Sequence, residues 1–335
     1  MDMGKYGPLL VSKGMKVTCL GMPQGRVTLT GLWKLYRLLC NERPEVVQTW
    51  MYHADLIGGI AARFAKVKNV FWNVRHSVLD RAYSKRSTLF VARACALLSH
   101  FVPTKIIFCA NSALSIHRSL GYNSKKLTVI PNGYDLSELI VDQQAGWLWR
   151  QKFNVGDRHL LGMVGRFDPA KDHWTLLSAL AELRDRGVNF LAVLVGRDIH
   201  SDNAQLGAWI SQFSLQESVL LLGQRTDVPD IMNALDIHVL SSSSEAFPNV
   251  VAEAMACGTP VVTTDVGDAA FIVGDVGWVV PPGDSLALAH ALQQALALPD
   301  MRRSEIGQLA RQRVATSFSL EGMVAAYHRV WTIQG

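Results

Sequence analysis

Two carboxylates and two cations in the second half of the 335-residue chain have the spacing of a ligand site. Glu245 and Glu253 lie eight residues apart in SSSSEAFPNVVAEAMACG, residues 241–258, and Arg166 and Lys171 lie in MVGRFDPAK, residues 163–171. The apolar run 237–240 reads as a strand that ends in a serine-rich loop, with a helix expected from Asn249 or Val250. A helix start presents unpaired backbone N–H groups and a positive dipole end, which suit a phosphate. Glu253 falls about one turn inside that helix, and Glu245 falls in the loop before it. Carboxylates accept from vicinal hydroxyls, so the pair suits a ligand that carries hydroxyls as well as phosphate. Arg166 offers a planar fork and Lys171 a point charge, a combination that suits a diphosphate. The plainer reading makes Glu253 an exposed helix residue, Glu245 a loop charge and the cations a solvated basic loop. What favours a site is that both groups follow strands at their carboxyl ends, where open α/β sheets bind ligands.

Those positions require a set order of elements. In the first half, runs at 17–22, 46–50, 70–74, 106–110 and 127–130 read as strands, with helices near 30–41, 54–66, 86–100 and 111–120. In the second half, strands read at 160–164, 190–195, 219–222, 237–240, 260–264 and 278–280, with helices near 173–186, 203–214, 228–235, 249–257 and 285–297. Continuous apolar strands such as LAVLVG are buried on both faces, the mark of a parallel sheet covered by helices. Strict β-α alternation in both halves predicts two doubly wound α/β domains. Asp172 is expected as a helix N-cap and Gly187 as a C-terminal glycine. The turn residues Pro131-Asn132-Gly133-Tyr134 mark the boundary. The expected domains are 1–133, a linker 134–146, a ligand-binding domain 147–318 and a C-terminal helix 319–335 that packs back toward the first domain.

Composition bounds the function. Hydrophobic residues make up 49% and charged residues 18%, which excludes intrinsic disorder. No apolar run reaches the roughly 18–20 residues of a membrane span. The five cysteines show no C-x-x-C spacing, so a reduced, cytoplasmic protein without disulfide or zinc is expected. Residues 1–150 hold 20 Lys+Arg against 8 Asp+Glu, and residues 151–335 hold 13 against 20. A basic half faces nucleic acid, an anionic membrane or an anionic substrate, unless it is simply a solvated surface. The stretch 81–105, with Arg81, Lys85, Arg86, Arg93 and Lys105 beside apolar residues from Leu89 to Val102, suits an anionic leaflet or an ordinary sheet-covering helix. There is no P-loop, no G-x-G-x-x-G after a strand, no H-E-x-x-H, no G-x-S-x-G and no D-x-D pair to hold a divalent cation on a diphosphate.

The segments VGRFDPAKD, LLGQRTDVPDIMNALDIHVLSSSSEAFPNVVAEAMACGTPVVTTDVG, IPNGYD and VGWVVPPGD, in that order, resemble the retaining GT-B-fold glycosyltransferases of family 4, group 1. The resemblance covers nearly the whole chain. It is nearest to bacterial members that build polysaccharide and lipopolysaccharide, and VQTWMYHADL and WNVRHS add to it. It implies two Rossmann-like parallel-sheet domains and transfer of a sugar from a nucleotide-sugar donor to a glycan or lipid-linked acceptor. Cofactor and metal are both expected to be none, and nucleic acid drops out as a partner. In that reading Gly165, Arg166 and Lys171 hold the diphosphate, and Glu253 accepts from the ribose. Glu245 meets hydroxyls of the transferred sugar. The backbone around Phe247, Pro248, Asn249 and Val250 meets the sugar and the distal phosphate, with Arg225 at the base pocket. Retention implies front-face attack, the departing phosphate oxygen helping to take the acceptor proton. His76 is the catalytic candidate in the first domain, with a structural histidine as the alternative; Glu245 shares the catalytic assignment. His53, Arg75 and Asn111 are acceptor-side candidates. The implied location is cytoplasmic, peripheral at the inner face of the membrane.

Members of the family begin with a strand, a Gly-rich loop and a helix ahead of the segment that GPLLVSKGMKVTCLGM resembles. Without that β-α-β segment the first domain is incomplete, and a chain of this length is expected to be less stable and less active than a longer one. A catalytically impaired nucleotide-sugar-binding remnant is therefore the second reading. A nucleotide-sugar epimerase of the same fold is the third, disfavoured by the paired carboxylates and cations.

Overall fold

The computed structural model describes residues 3–4, 6–23, 26–76 and 86–332. Backbone proximity separates the chain into two units, one of Met1–Phe108, Leu114–Val129 and Arg329–Gly335, the other of Cys109–Ala113 and Ile130–His328.

The first unit contains α1 (Gly7–Ser12), α2 (Leu29–Glu42), β1 (Val46–Trp50), α3 (Tyr52–Phe64), β2 (Asn69–Val74), α4 (Arg86–Leu98), β3 (Lys105–Phe108), all but the first turn of α5 (Asn111–Ser119), and β4 (Leu127–Val129). Its described strands form one parallel sheet in the order β1-β2-β3-β4, so every crossover steps in the same direction. β2 is the inner strand that packs most tightly, with Val70, Phe71, Trp72, Asn73 and Val74 all fully buried.

The second unit holds α6 (Gln143–Lys152), β5 (His159–Val164), α7 (His173–Asp185), β6 (Phe190–Val195), α8 (Ala204–Gln212), β7 (Val219–Leu221), α9 (Val228–Ala234) and β8 (Ile237–Leu240). It continues through α10 (Asn249–Ala256), β9 (Val261–Thr264), α11 (Ala269–Val273), β10 (Trp278–Val280), α12 (Ser285–Leu296), α13 (Asp300–Ser317) and most of α14 (Leu320–Thr332). The last turn of α14 groups with the first unit, where Trp331 Nε1 donates to Gln48 Oε1 at 2.8 Å. The parallel sheet runs β10-β9-β8-β5-β6-β7. β5 and β8 are neighbours whose crossovers leave in opposite directions, a topological switch point. Leu161 and Met163 of β5 pack with Leu176, Leu180 and Leu183 of α7 and with Leu292 of α12.

Local chemistry starts these helices. Asp142, Asp172, Asn203 and Asp284 each accept a backbone N–H at the head of α6, α7, α8 and α12, an interaction worth about 1 kcal/mol. Gly187 follows α7 at φ +78°, as its position suggested.

The elements depart from the sequence reading in particular places. Residues 17–22 form no strand, because no described neighbour pairs with their backbone. Met22 instead anchors the segment by packing over Gly31 of α2. The segment GPLLVS, read as weak, is α1. Helix α6 begins inside the stretch read as linker, and it packs on α9 where Gly146 lies against the Asn233 carbonyl. Helix α13 was not foreseen because its buried positions are Arg303, Gly307, Ala310 and Val314, which give no apolar stripe.

One glycine ties the sheet to the loop that follows β5. Gly196, just after β6, has φ +153°, and a Cβ there would overlap the Gly165 carbonyl. Gly196→Ala should destabilise by about 2 kcal/mol or more, lowering the unfolding midpoint by about 4–8 °C. Gly207→Ala, in α8 with open space around it, should hold or raise the midpoint. Thermal denaturation of both variants checks this.

Candidate active site

The loops after β5 and β8 leave the switch point side by side and carry the chemistry. Gly165 N donates to Val195 O at 2.8 Å, and Phe167 N donates to Arg197 O at 2.8 Å, so the first loop runs along the end of β6. Asp168 starts a short 3-10 turn, Pro169–Lys171, by accepting from Ala170 N. That turn presents Lys171, whose Nζ donates to Glu245 Oε1 at 2.6 Å. Both side chains are mostly shielded, at 15% and 16% exposure. Ser242 Oγ donates to the same carboxylate oxygen at 2.8 Å. Arg166 is more exposed and pairs with Asp168 at 2.9 Å. Burial opposes ionisation of Asp168, but the Ala170 N–H and the Arg166 and Lys171 charges together hold its carboxyl below the usual range.

Helix α10 begins at Asn249 behind Pro248, and no side chain caps it. Among the described residues its first amides have no capping side chain, and the positive end of its dipole lies there. Phe247 and Pro248 are buried, and the Phe247 ring meets Phe318 edge-on at 5.7 Å. Asn249 is anchored from the segment before α6: its Oδ1 accepts from Asn132 Nδ2 at 2.6 Å and from Tyr134 Oη at 2.8 Å. Val250 is half-buried beside it. Glu253 lies in the second turn of α10, where burial pushes its carboxyl upward and the Lys171 ammonium acts in the opposite direction. The structure thus gathers Gly165, Lys171 and Glu245 at one crevice, with Glu253 within the field of Lys171. Arg225 forms a two-point pair with Asp227 at 2.8 and 2.6 Å.

Two histidines near this crevice had no role in the sequence reading. Burial lowers His173, at the head of α7, to about 4, and lowers His238, in β8, to about 3, with the Lys171 charge acting the same way. Both stay neutral at physiological pH. Among the described residues neither ring nitrogen of His238 has a hydrogen-bond partner. The only sequence signal was a histidine inside an apolar strand. Among the described residues no group of three His, Cys, Asp or Glu could hold a metal ion.

In the first unit the carboxyl ends of β1 and β2 bring together Trp50, Tyr52, Arg75 and His76. The Arg75 guanidinium lies 4.8 Å over the Trp50 ring, and its Nε donates to Asn73 Oδ1 at 3.1 Å. His76 meets Tyr52 edge-on at 6.4 Å. His53 is exposed and lines a cavity of about 650 Å³ beside Thr49, Trp50 and Met51. Asp55 is fully buried, and burial pushes its carboxyl up to about 8 even though Thr49 Oγ1 donates to it at 2.5 Å. Asn111 groups with the second unit. Its N–H and side-chain amide both donate to Asp268 Oδ2, at 2.7 and 3.1 Å, while Ser112 N donates to Asp268 Oδ1 at 2.9 Å. Asp268 is thus the cap of α5, a long-range partner that no local spacing announces.

The Glu253 environment has a measurable sign. Its folded carboxyl titrates above its unfolded value, so at low pH, with the proton on in both states, it carries no ionisation penalty. As pH rises through the folded value, the chain bears the cost of a buried charge. Glu253→Gln should therefore raise the ligand-free unfolding midpoint at pH 8 and leave it nearly unchanged at pH 4, which melting curves at both values test.

Comparison with known proteins places this geometry. Residues 146–313 match the family glycosyl transferases group 1, and residues 8–138 match glycosyltransferase family 4. The chain is 28% identical over 242 residues, 71% of its length, to an Escherichia coli UDP-Gal:alpha-D-GlcNAc-diphosphoundecaprenol alpha-1,3-galactosyltransferase, and the match spans 62% of that enzyme. It is 25% identical over 308 residues to the capsular polysaccharide glycosyltransferase CapM of Staphylococcus aureus, covering 87% of this chain and 77% of CapM. In fold it is similar to Anabaena HepE, solved in complex with UDP, with a TM-score of 0.85 at 23% identity, covering 99% of this chain and 90% of that one. Two parallel-sheet α/β units of the GT-B class and a family match across half the chain lead to one conclusion: the chain belongs to the group 1 glycosyltransferases.

Proposed function

We propose that this protein transfers a sugar from a UDP-sugar to a glycan or lipid-linked acceptor in cell-surface polysaccharide or lipopolysaccharide assembly, retaining anomeric configuration and using no metal. The observation that carries the reading is the crevice at β5 and β8, where Lys171 and Glu245 meet near the uncapped start of α10. HepE supports the choice of base, having been solved with UDP and with UDP-glucose. The Escherichia coli relative, named for a diphosphoundecaprenol acceptor, supports the choice of acceptor class.

In this reading the diphosphate sits against Lys171, Arg166 and the first amides of α10. As the bond from anomeric carbon to phosphate oxygen lengthens, negative charge grows on that oxygen. Fixed positive groups lower the barrier because they need no reorganisation when the charge appears. Glu253 accepts from the ribose hydroxyls and Glu245 from the sugar. The acceptor hydroxyl attacks the same face the leaving group departs from, and its proton passes to the departing phosphate oxygen. His76 and Arg75 serve the acceptor side, with His53 beside them.

Peripheral membrane contact belongs to the same proposal. No helix among the described residues is long and apolar enough to cross a membrane. On α4, however, Phe90, Arg93 and Leu97 are exposed at i, i+3 and i+7, and Phe101 is exposed just beyond. Apolar and basic groups on one exposed face suit an anionic leaflet. Arg81 and Lys85, read from sequence as part of this surface, lie outside the described residues.

Two experiments test the proposal. UDP at about 100 times its dissociation constant should stabilise the chain by about 2.7 kcal/mol in thermal denaturation, more than GDP or ADP, and Glu253→Ala should abolish the gain. Equal response to all three nucleotides, or an unchanged gain in the variant, counts against the donor site. Separately, the chain should sediment with vesicles containing phosphatidylglycerol and not with pure phosphatidylcholine. Phe90→Ser with Leu97→Ser should reduce that binding severalfold.

A further inference from the structure

The serine run that leads from β8 to Glu245 has no part in the reading above, yet Ser241, Ser242 and Ser243 are each engaged. Ser241 and Ser242 are fully buried. Ser241 Oγ is within hydrogen-bond reach of two carbonyls, Lys171 O at 3.0 Å and Asp172 O at 3.1 Å. Ser243 N donates to Ala170 O at 2.9 Å. These contacts stitch the loop after β8 to the turn that carries Lys171. Ser242 does something different: its hydroxyl donates to Glu245 Oε1, the oxygen that also receives Lys171. Its own carbonyl accepts from Thr264 Oγ1 at 2.6 Å, so the fully buried end of β9 holds Ser242 in place.

We infer that Ser242 is a positioning residue for the donor sugar, fixing the Glu245 carboxylate in the orientation that meets the sugar hydroxyls. The physical need is specific. The Lys171–Glu245 pair is a point-charge contact and does not itself set the carboxylate plane, because an ammonium has no preferred approach plane. A second, directional donor from a buried and clamped hydroxyl selects one rotamer. A hydrogen bond to a charged acceptor is strong enough to do so. This inference rests on the assignment of Glu245 to the transferred sugar.

The test is calorimetric binding of UDP and UDP-glucose to the full chain, in the parent, Ser242→Ala, Ser242→Thr, Glu245→Ala and the double variant Ser242→Ala/Glu245→Ala. Ser242→Ala should weaken UDP-glucose about tenfold relative to UDP, and Ser242→Thr should recover most of that loss. In the Glu245→Ala background, removing Ser242 should change the ratio less than about twofold, because its partner is gone. An equal loss for UDP and UDP-glucose, or the same loss with and without Glu245, makes Ser242 a purely structural residue and overturns the inference alone. If Glu245→Ala leaves the UDP-glucose to UDP ratio unchanged, or neither ligand binds the parent, the assignment of Glu245 fails and the inference fails with it.

Discussion

The second unit is organised around a single constraint: β5 and β8 are hydrogen-bonded neighbours whose chains must leave the sheet in opposite directions. Their following loops cannot pack over the ends of those strands as a loop of a one-way sheet does, so a crevice opens there. The ion pair of Lys171 and Glu245 bridges it, one residue from each loop. Such a mostly shielded pair contributes little net stability, because desolvation offsets much of the Coulomb gain. Its significance is chemical. It keeps an ammonium with three donors and a carboxylate with two oxygens in one place.

The two ends of α10 are finished differently. At its C-terminal end the Ala256 carbonyl accepts from Arg311, which also donates to Leu139 O at 2.5 Å. A cation there completes the helix dipole and satisfies an orphan acceptor. At the N-terminal end Pro248 provides no side-chain acceptor, and the Val251 N–H turns back to the Pro248 carbonyl at 3.1 Å. Gly307 of α13 lies against the Gly258 carbonyl just past α10, where any Cβ would collide. Arg303 and Arg311 thus do for α13 what large apolar residues do in an ordinary helix, by donating to main-chain carbonyls.

The first unit uses buried polarity differently. Tyr52 Oη lies 2.7 Å from His117 Nε2, Cys95 Sγ donates to the Tyr52 carbonyl at 3.4 Å, and Thr49 holds Asp55. These contacts connect α3, α4, α5 and β1. Burial pushes Cys95 up to about 12 and Asp55 up to about 8, so both carry their protons at neutral pH. Asp55 and Cys95 are therefore uncharged, the form in which a low-dielectric interior tolerates such groups.

The amino-acid order alone determined the alternation of strand and helix, the caps at Asp172 and Gly187, and the candidate groups Arg166, Lys171, Glu245 and Glu253. Each of these is written in local periodicity or spacing, and local sterics and hydrogen bonding enforce it. Only the tertiary structure decided which of those groups meet. It paired Lys171 with Glu245 across 74 residues and turned Arg225 onto Asp227. It assigned Asn111 to a cap by Asp268, 157 residues away. It also left residues 17–22 without a strand and built α13 on glycine and arginine. Those outcomes depend on distances between segments far apart in the chain. Such distances are set by sheet order and close backbone approach, and no pattern within a few residues encodes them.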